Sequence, residues 1–179
     1  GEYTFIVAYL PWASGDGMEH RNSTILTRSL DFSGNVDRVI GTLAHEFVHA
    51  WNVERIRPSD LEPFNFMDAN MTDALWFAEG FTSYYTPLLL RRAEAISDEA
   101  YAEALTRTLN TVDLSPGRQH FSAKEMSMQA PFVDAATSND PTSRHNTFIS
   151  YYTWGAAIGA ALDLTLRTSF DLSLDGYMQ

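Results

Sequence analysis

The chain has 179 residues, no cysteine, 45% apolar residues and a formal charge of −11. That length suits one domain with a substantial core, and the absence of thiols excludes a disulfide framework or a thiolate metal site. The acidic balance argues against nucleic acid or an anionic membrane surface as a partner, because both select basic surfaces. The longest apolar run, Trp154 to Leu162, is about half of the roughly 20 residues that a membrane span requires. The first residues show no signal-peptide pattern, and a cysteine-free chain suits cytoplasm and periplasm equally, so composition selects neither compartment.

Tyr3 to Leu10 (YTFIVAYL) is rich in β-branched and aromatic residues and ends at Pro11, which predicts a buried strand. A strand already under way at residue 1 points to a piece of a longer chain. Ala13 to Gly17 reads as a turn, and Asn22 to Leu30 as a second strand. Gly17-Met18-Glu19-His20 is either a strand edge or the loop entering it. Apolar residues at three- and four-residue steps from Val36 to Trp51 predict an amphipathic helix over about 36–53, with Asp37 at its positive end. Pro58 stops it, and a second helix is expected from Thr72 to Arg92, kinked or broken near Thr86 by Pro87. A third runs from Ser97 to Leu109. Beyond Asp113 the pattern weakens, with Asn139-Asp140-Pro141 as a breaker and one short helix over Ala123–Gln129. The fourth long helix spans Thr147 to Thr168, where Gly155, Gly159 and Ala160 allow a neighbouring backbone to come close, and a last helix starts near Ser173. The chain is therefore read as a single α+β domain, mostly helical, over residues 1–179.

The first helix carries His45-Glu46-Phe47-Val48-His49. Histidines four residues apart project from one side of a helix, rotated by about 40° and separated by about 6 Å of rise. Two imidazoles so placed reach one metal ion at about 2.0–2.1 Å. Glu46, about 100° round from His45, borders that face and suits a base better than a ligand. On the second helix Glu79 sits among Trp76, Phe77, Ala78 and Phe81. A carboxylate in that company needs a partner or a function. It either completes a two-histidine, one-carboxylate zinc set with His45 and His49, or pairs with Arg55 or Arg57. Asn52, just beyond the histidine face, is a candidate to orient one of them. His120 and His145 have no ligand spacing and read as surface residues; Met67, Met71, Met126 and Met128 read as packing.

HEFVHAWN followed by WFAEGFTSYY resembles the gluzincin zinc peptidases, whose third ligand is a glutamate on the following helix. The fuller set, GMEHRNST, HEFVHAWNVERIRP, ALWFAEGFTSYY and FISYYTWG, resembles the glycyl aminopeptidase family in particular, over about Tyr3 to Asp171. The resemblance implies a zincin-like (thermolysin-like) catalytic domain with a small N-terminal sheet edge on the HExxH helix. It also implies that further domains of the same parent chain, an N-terminal β-domain and a C-terminal PDZ-type domain, flank this one.

Two more roles come from the resemblance alone. Relatives carry a Gly-x-Met-Glu-like segment on the sheet edge whose glutamate holds the substrate's α-ammonium, which assigns Glu19 that role with Met18 and His20 beside it; His20 replaces a frequent asparagine. A solvated strand-edge glutamate is the alternative. Tyr-Thr-Trp-Gly (152–155) resembles the relatives' Tyr-x-Lys-Gly, whose tyrosine donates to the oxyanion; this points to Tyr152, with Tyr151 as the other candidate. The expected function is a zinc-dependent aminopeptidase acting on peptides with a free N-terminus and, by resemblance, a small first residue such as glycine or alanine. His45, His49 and Glu79 hold one Zn²⁺ and Glu46 moves the proton. The rivals are a zinc endopeptidase, in which Glu19 has no role, and a catalytically silent binding domain of the same fold.

Overall fold

The structure, a computed structural model, describes residues 1–13, 15–29, 33–133 and 141–179. The end of the second expected strand at Leu30, the Asn139-Asp140 breaker and the Asp37 side chain lie outside the described residues.

Three strands form one sheet in the order β1-β3-β2: β1 (Thr4–Tyr9), β2 (Asp16–His20) and β3 (Ser23–Arg28). β1 runs parallel to β3, while β2 pairs antiparallel with it, Gly17 opposite Leu26 and Glu19 opposite Thr24. Gly17-Met18-Glu19-His20 is thus a strand, and it lies on an open edge of the sheet. β1 is the other edge strand, and contrary to the buried strand expected for YTFIVAYL, Phe5 and Ile6 are exposed. An outer strand has one neighbour, so β propensity there is not matched by burial. Leu26 and Thr24 of the central strand are buried.

α1 (Val36–His49) packs under β2 and β3 and against α2 (Leu75–Arg92). α1 ends at His49, short of Val53. The Asn52 amide donates to the Phe77 and Ala78 carbonyls and to Thr82 Oγ1, which draws the chain out of the helix, and Val53 takes φ = 123°. α2 runs unbroken through Pro87, so of the kink or break expected near Thr86 the break does not occur. The proline removes one hydrogen bond, that of the Ser83 carbonyl, and Ser83 borders an open cleft; Leu88 and Leu89 beyond it remain packed on the core. Thr72 lies before the helix rather than at its cap, accepting from Ala74 N and donating to Asp60.

α3 (Asp98–Leu114) is capped by Ser97, whose hydroxyl accepts from Ala100 N, and it runs five residues beyond the expected end. The weakly patterned segment is more ordered than its sequence indicates. Its described residues hold a 3-10 turn at Pro116–Gln119, then α4 (Ala123–Met128), α5 (Ala130–Val133) and α6 (Pro141–Thr147). α4 starts with a full capping box between Ser122 and Glu125. α7 (Tyr151–Ser169) begins four residues later than expected, because α6 takes Thr147 and the buried Ile149 packs with Met126, Ala130 and Tyr151. α8 (Leu174–Tyr177) starts at Ser173 as expected.

α2 and α7 form the centre of the molecule. A Cβ on Gly155 would overlap the Trp76 carbonyl oxygen, and one on Gly80 would overlap Gly155 itself, so the two backbones touch only because both residues are glycine. Around this seam Phe81, Tyr84, Tyr85, Leu166 and Leu174 make the main core. Tyr84 Oη (2.6 Å), Arg167 Nε (2.9 Å) and the Leu174 amide (2.7 Å) all donate to the buried Asp163 carboxylate, tying α2, α7 and α8 together.

Candidate metal centre and substrate cleft

The helical spacing of His45 and His49 puts both rings on the side of α1 that faces α2, and Glu79 comes from the first turns of α2. His45 Nε2 and His49 Nε2 are 3.2 Å apart, and each is 3.2 Å from Glu79 Oε2. Among the described residues this is the one group of three or more such side chains gathered closely enough to hold a metal. Arg57, an alternative partner for Glu79, pairs with Glu54 and Glu62.

Both rings are held from behind. His49 Nδ1 lies 2.9 Å from the Asn52 carbonyl, an acceptor only, so it must donate. The Thr86 hydroxyl donates to the Thr82 carbonyl at 2.8 Å and presents its oxygen to His45 Nδ1 at 3.4 Å. With Nδ1–H occupied on each ring, neutral imidazoles turn both Nε2 lone pairs toward the carboxylate, and three electron-pair donors converge on one point. That arrangement calls for a cation. Four ligands at about 2.0–2.1 Å in a tetrahedron stand about 3.3 Å apart, which the 3.2 Å triangle matches. A proton can also serve as that cation, bridging His49 Nε2 and Glu79. Burial opposes a charge on His49, yet its bond to Glu79 outweighs this and lifts it to about 9; burial likewise opposes the Glu79 charge, but His45 and His49 hold it at about 2.

Glu46 is buried beside this triangle, and burial raises its pKa above the ordinary carboxylate value, with the neighbouring histidines pulling the other way. Its backbone carbonyl accepts from Tyr3 Oη at 3.3 Å, and the same hydroxyl lies 3.0 Å from the Ser23 carbonyl, so the base is tied to the sheet through its main chain. Burial and the Glu46 charge push Tyr3 up to about 12, which keeps it a donor.

Met18, Glu19 and His20 line a cleft of about 600 Å³ together with Glu79, Leu61, Phe64 and Phe66. Glu19 and Glu79 therefore open on one space, and Met18 is exposed. The Tyr152 ring lies 6.2 Å from that of His45 with planes 28° apart, whereas Tyr151, stacked behind it at 4.9 Å, is buried in the core. Asn52 is buried, and it reaches the triangle through its backbone carbonyl rather than its amide, which fastens α1 to α2. His120 and His145 are exposed. Met126 is core, but Met67, Met71 and Met128 are exposed, against the packing role expected for them. Sequence reasoning missed Tyr3, Thr82 and Thr86. The threonines stand three and seven residues past Glu79 on one face of α2, a spacing that marks them; Tyr3 reaches Glu46 only through tertiary packing and left no signal.

An HExxH helix facing a second helix that returns a glutamate, beneath the edge of a small sheet, makes a mostly helical α+β domain with a two-histidine, one-carboxylate set that could hold a metal ion. The chain belongs to the glycyl aminopeptidase family: the profile of the M61 glycyl aminopeptidases matches residues 38–158, more than half of the chain. The crystal structure of an aminopeptidase N family protein from Idiomarina loihiensis superposes with a TM-score of 0.84 at 31% sequence identity, covering 98% of this chain and 31% of that one. The chain thus spans less than a third of that protein's length. No curated protein matches it. Among the described residues no helix is long and apolar enough to cross a membrane.

Proposed function

We propose that the chain is the zincin-like catalytic unit of a zinc-dependent aminopeptidase, working alongside other domains of a longer chain. The observation that carries this reading is the 3.2 Å triangle of His45, His49 and Glu79, with the buried Glu46 beside it. The three residues would hold Zn²⁺, favoured by the nitrogen and oxygen donors, and the ion would supply Lewis acidity and acidify water to a pKa of about 7.

The chain's own residues do the rest. Glu46, its pKa raised by burial, takes a proton from the attacking water and delivers it to the departing amine. Tyr152, beside His45, donates a hydrogen bond from its hydroxyl to the carbonyl oxygen as negative charge develops there. Glu19, opening on the same cleft as Glu79, holds the substrate's α-ammonium, with Met18 and His20 alongside. The open edge of β2 offers main-chain groups to the first peptide unit. Glycine and alanine as preferred first residues rest on family membership.

The test measures bound metal and hydrolysis of glycine p-nitroanilide, with and without an N-acetyl block, on the full-length chain. One zinc per chain and loss of turnover on acetylation are expected. Hydrolysis of the blocked substrate at an equal rate overturns the exopeptidase reading, and no bound metal after reconstitution overturns the whole.

A further inference from the structure

Resting on the role proposed for Glu46, we propose that Gly17 is a positioning residue for that carboxylate: the missing side chain on β2 creates the slot in which the Glu46 carboxylate lies. A Cβ on Gly17 would overlap Glu46 Oε1 and stand 2.5 Å from Cδ and 3.0 Å from Cγ. Gly17 and Glu19 share one face of the strand, so the same strand that brings Glu19 to the cleft crosses directly over Glu46.

The strand has little freedom to retreat. It is zipped to β3 from Asp16 to His20, and the buried Thr24 hydroxyl donates to the Met18 carbonyl at 2.9 Å. The helix is held equally, because Tyr3 Oη reaches the Glu46 carbonyl. A side chain inserted between two fixed backbones displaces the only mobile part, the Glu46 carboxylate. Gly17 carries no positive φ, unlike Gly34 at 76°, so its requirement is one of space and not of backbone conformation.

The experiment is a double-mutant cycle on the full-length chain with Gly17→Ala and Glu46→Asp, whose shorter side chain withdraws from the slot. Gly17→Ala alone is expected to lower kcat for glycine p-nitroanilide by at least about 30-fold, with KM changed less than threefold and zinc content unchanged. In the Glu46→Asp background the same substitution is expected to cost less than about threefold, because neighbours sharing a contact are not additive. Gly41→Ala on α1, where a Cβ meets nothing within 4 Å, serves as the control and stays within twofold of wild type. A melting cycle of Gly17→Ala with Glu46→Ala reads the contact without turnover: the Tm loss from Gly17→Ala is relieved once the Glu46 side chain is gone, including where Gly17→Ala alone fails to fold. Equal effects of Gly17→Ala in both backgrounds overturn the proposal. Absence of turnover in the wild type overturns the aminopeptidase reading instead, and the melting cycle still decides the role of Gly17.

Discussion

The two sides of α2 each set a carboxylate against a neighbouring helix, Asp163 buried and Glu79 half-buried, and they treat it in opposite ways. Toward α7, Asp163 receives three donors, from Tyr84, Arg167 and the Leu174 amide, and its charge is matched within the fold. Toward α1, Glu79 meets two ring nitrogens, Nε2 of His45 and of His49, whose Nδ1 atoms are turned to Thr86 and Asn52. A carboxylate met by donors is a structural tie, since a satisfied buried network rigidifies the fold. A carboxylate met by other electron-pair donors is incomplete without a cation, and that makes it a site. The one helix serves both because Glu79 and Gly80 are neighbours about 100° apart, the first turned to the metal centre and the second to the close contact with Gly155.

Substitutions on the two sides should therefore fail differently. The largest effect is expected from Glu79→Gln, which keeps the shape but removes the charge that holds a dication. Bound zinc should fall from one per chain toward zero and kcat/KM by about 10³-fold or more. Retention of stoichiometric zinc would place Glu79 with Asp163 among structural ties and sink the distinction. Glu46→Gln should come next: zinc stays bound, and kcat drops by at least about 10²-fold because no group remains to carry the proton. Near-normal turnover there removes Glu46 from the mechanism while leaving the metal centre standing.

How much of this contrast was legible beforehand follows from where each contact lies in sequence. The HExxH pair is local, two residues on successive turns, and helical geometry alone brings them together. Glu79 was found because a carboxylate among Trp76, Phe77 and Phe81 needs a reason to be there. The same logic, applied to Asp163 as a charge within the apolar run of α7, was not drawn from the sequence, and nothing in its neighbourhood names Tyr84, 79 positions earlier, or the Leu174 amide. Main-chain donors leave no trace in composition. The sheet was legible as two strands, with Gly17 to His20 left between a strand edge and a loop: pairing order is a tertiary fact, and it decides that β1 is an outer strand, with Phe5 and Ile6 exposed while Leu26 is not. α5 and α6 escaped notice because four- and seven-residue helices are too short to show a period.

On the structural side of α2 the expected losses are of stability. Asp163→Asn keeps the volume but weakens the bonds from Tyr84 and Arg167 and leaves an amide N–H facing a donor. It should cost about 1–3 kcal/mol in chemical denaturation at neutral pH, with kcat in the remaining folded protein unchanged. A loss of turnover at full stability would instead tie Asp163 to the site.

The smallest effect is the pH dependence of that same loss, and its sign is fixed. Burial alone would raise the Asp163 pKa, but the hydrogen bonds from Tyr84, Leu174 and Arg167 outweigh it and hold the carboxyl below its ordinary value. A depressed carboxylate contributes stability that is fully present above the unfolded-state value of about 3.9 and is lost as pH falls through the folded value beneath it. The stability gap between wild type and Asp163→Asn should therefore be constant from pH 7 to about 5 and shrink progressively below about 4, as protons titrate the wild-type carboxyl toward the neutral state that the amide mimics. Denaturation curves of the pair at pH 7, 5 and 3.5, with chelator present so that the metal centre contributes equally to both, measure it directly. A gap that widens on acidification would mean that Asp163 binds its proton more readily in the folded protein than in the unfolded chain. The three donors would then be failing to compensate its burial, and the difference between the two faces of α2 would be one of degree.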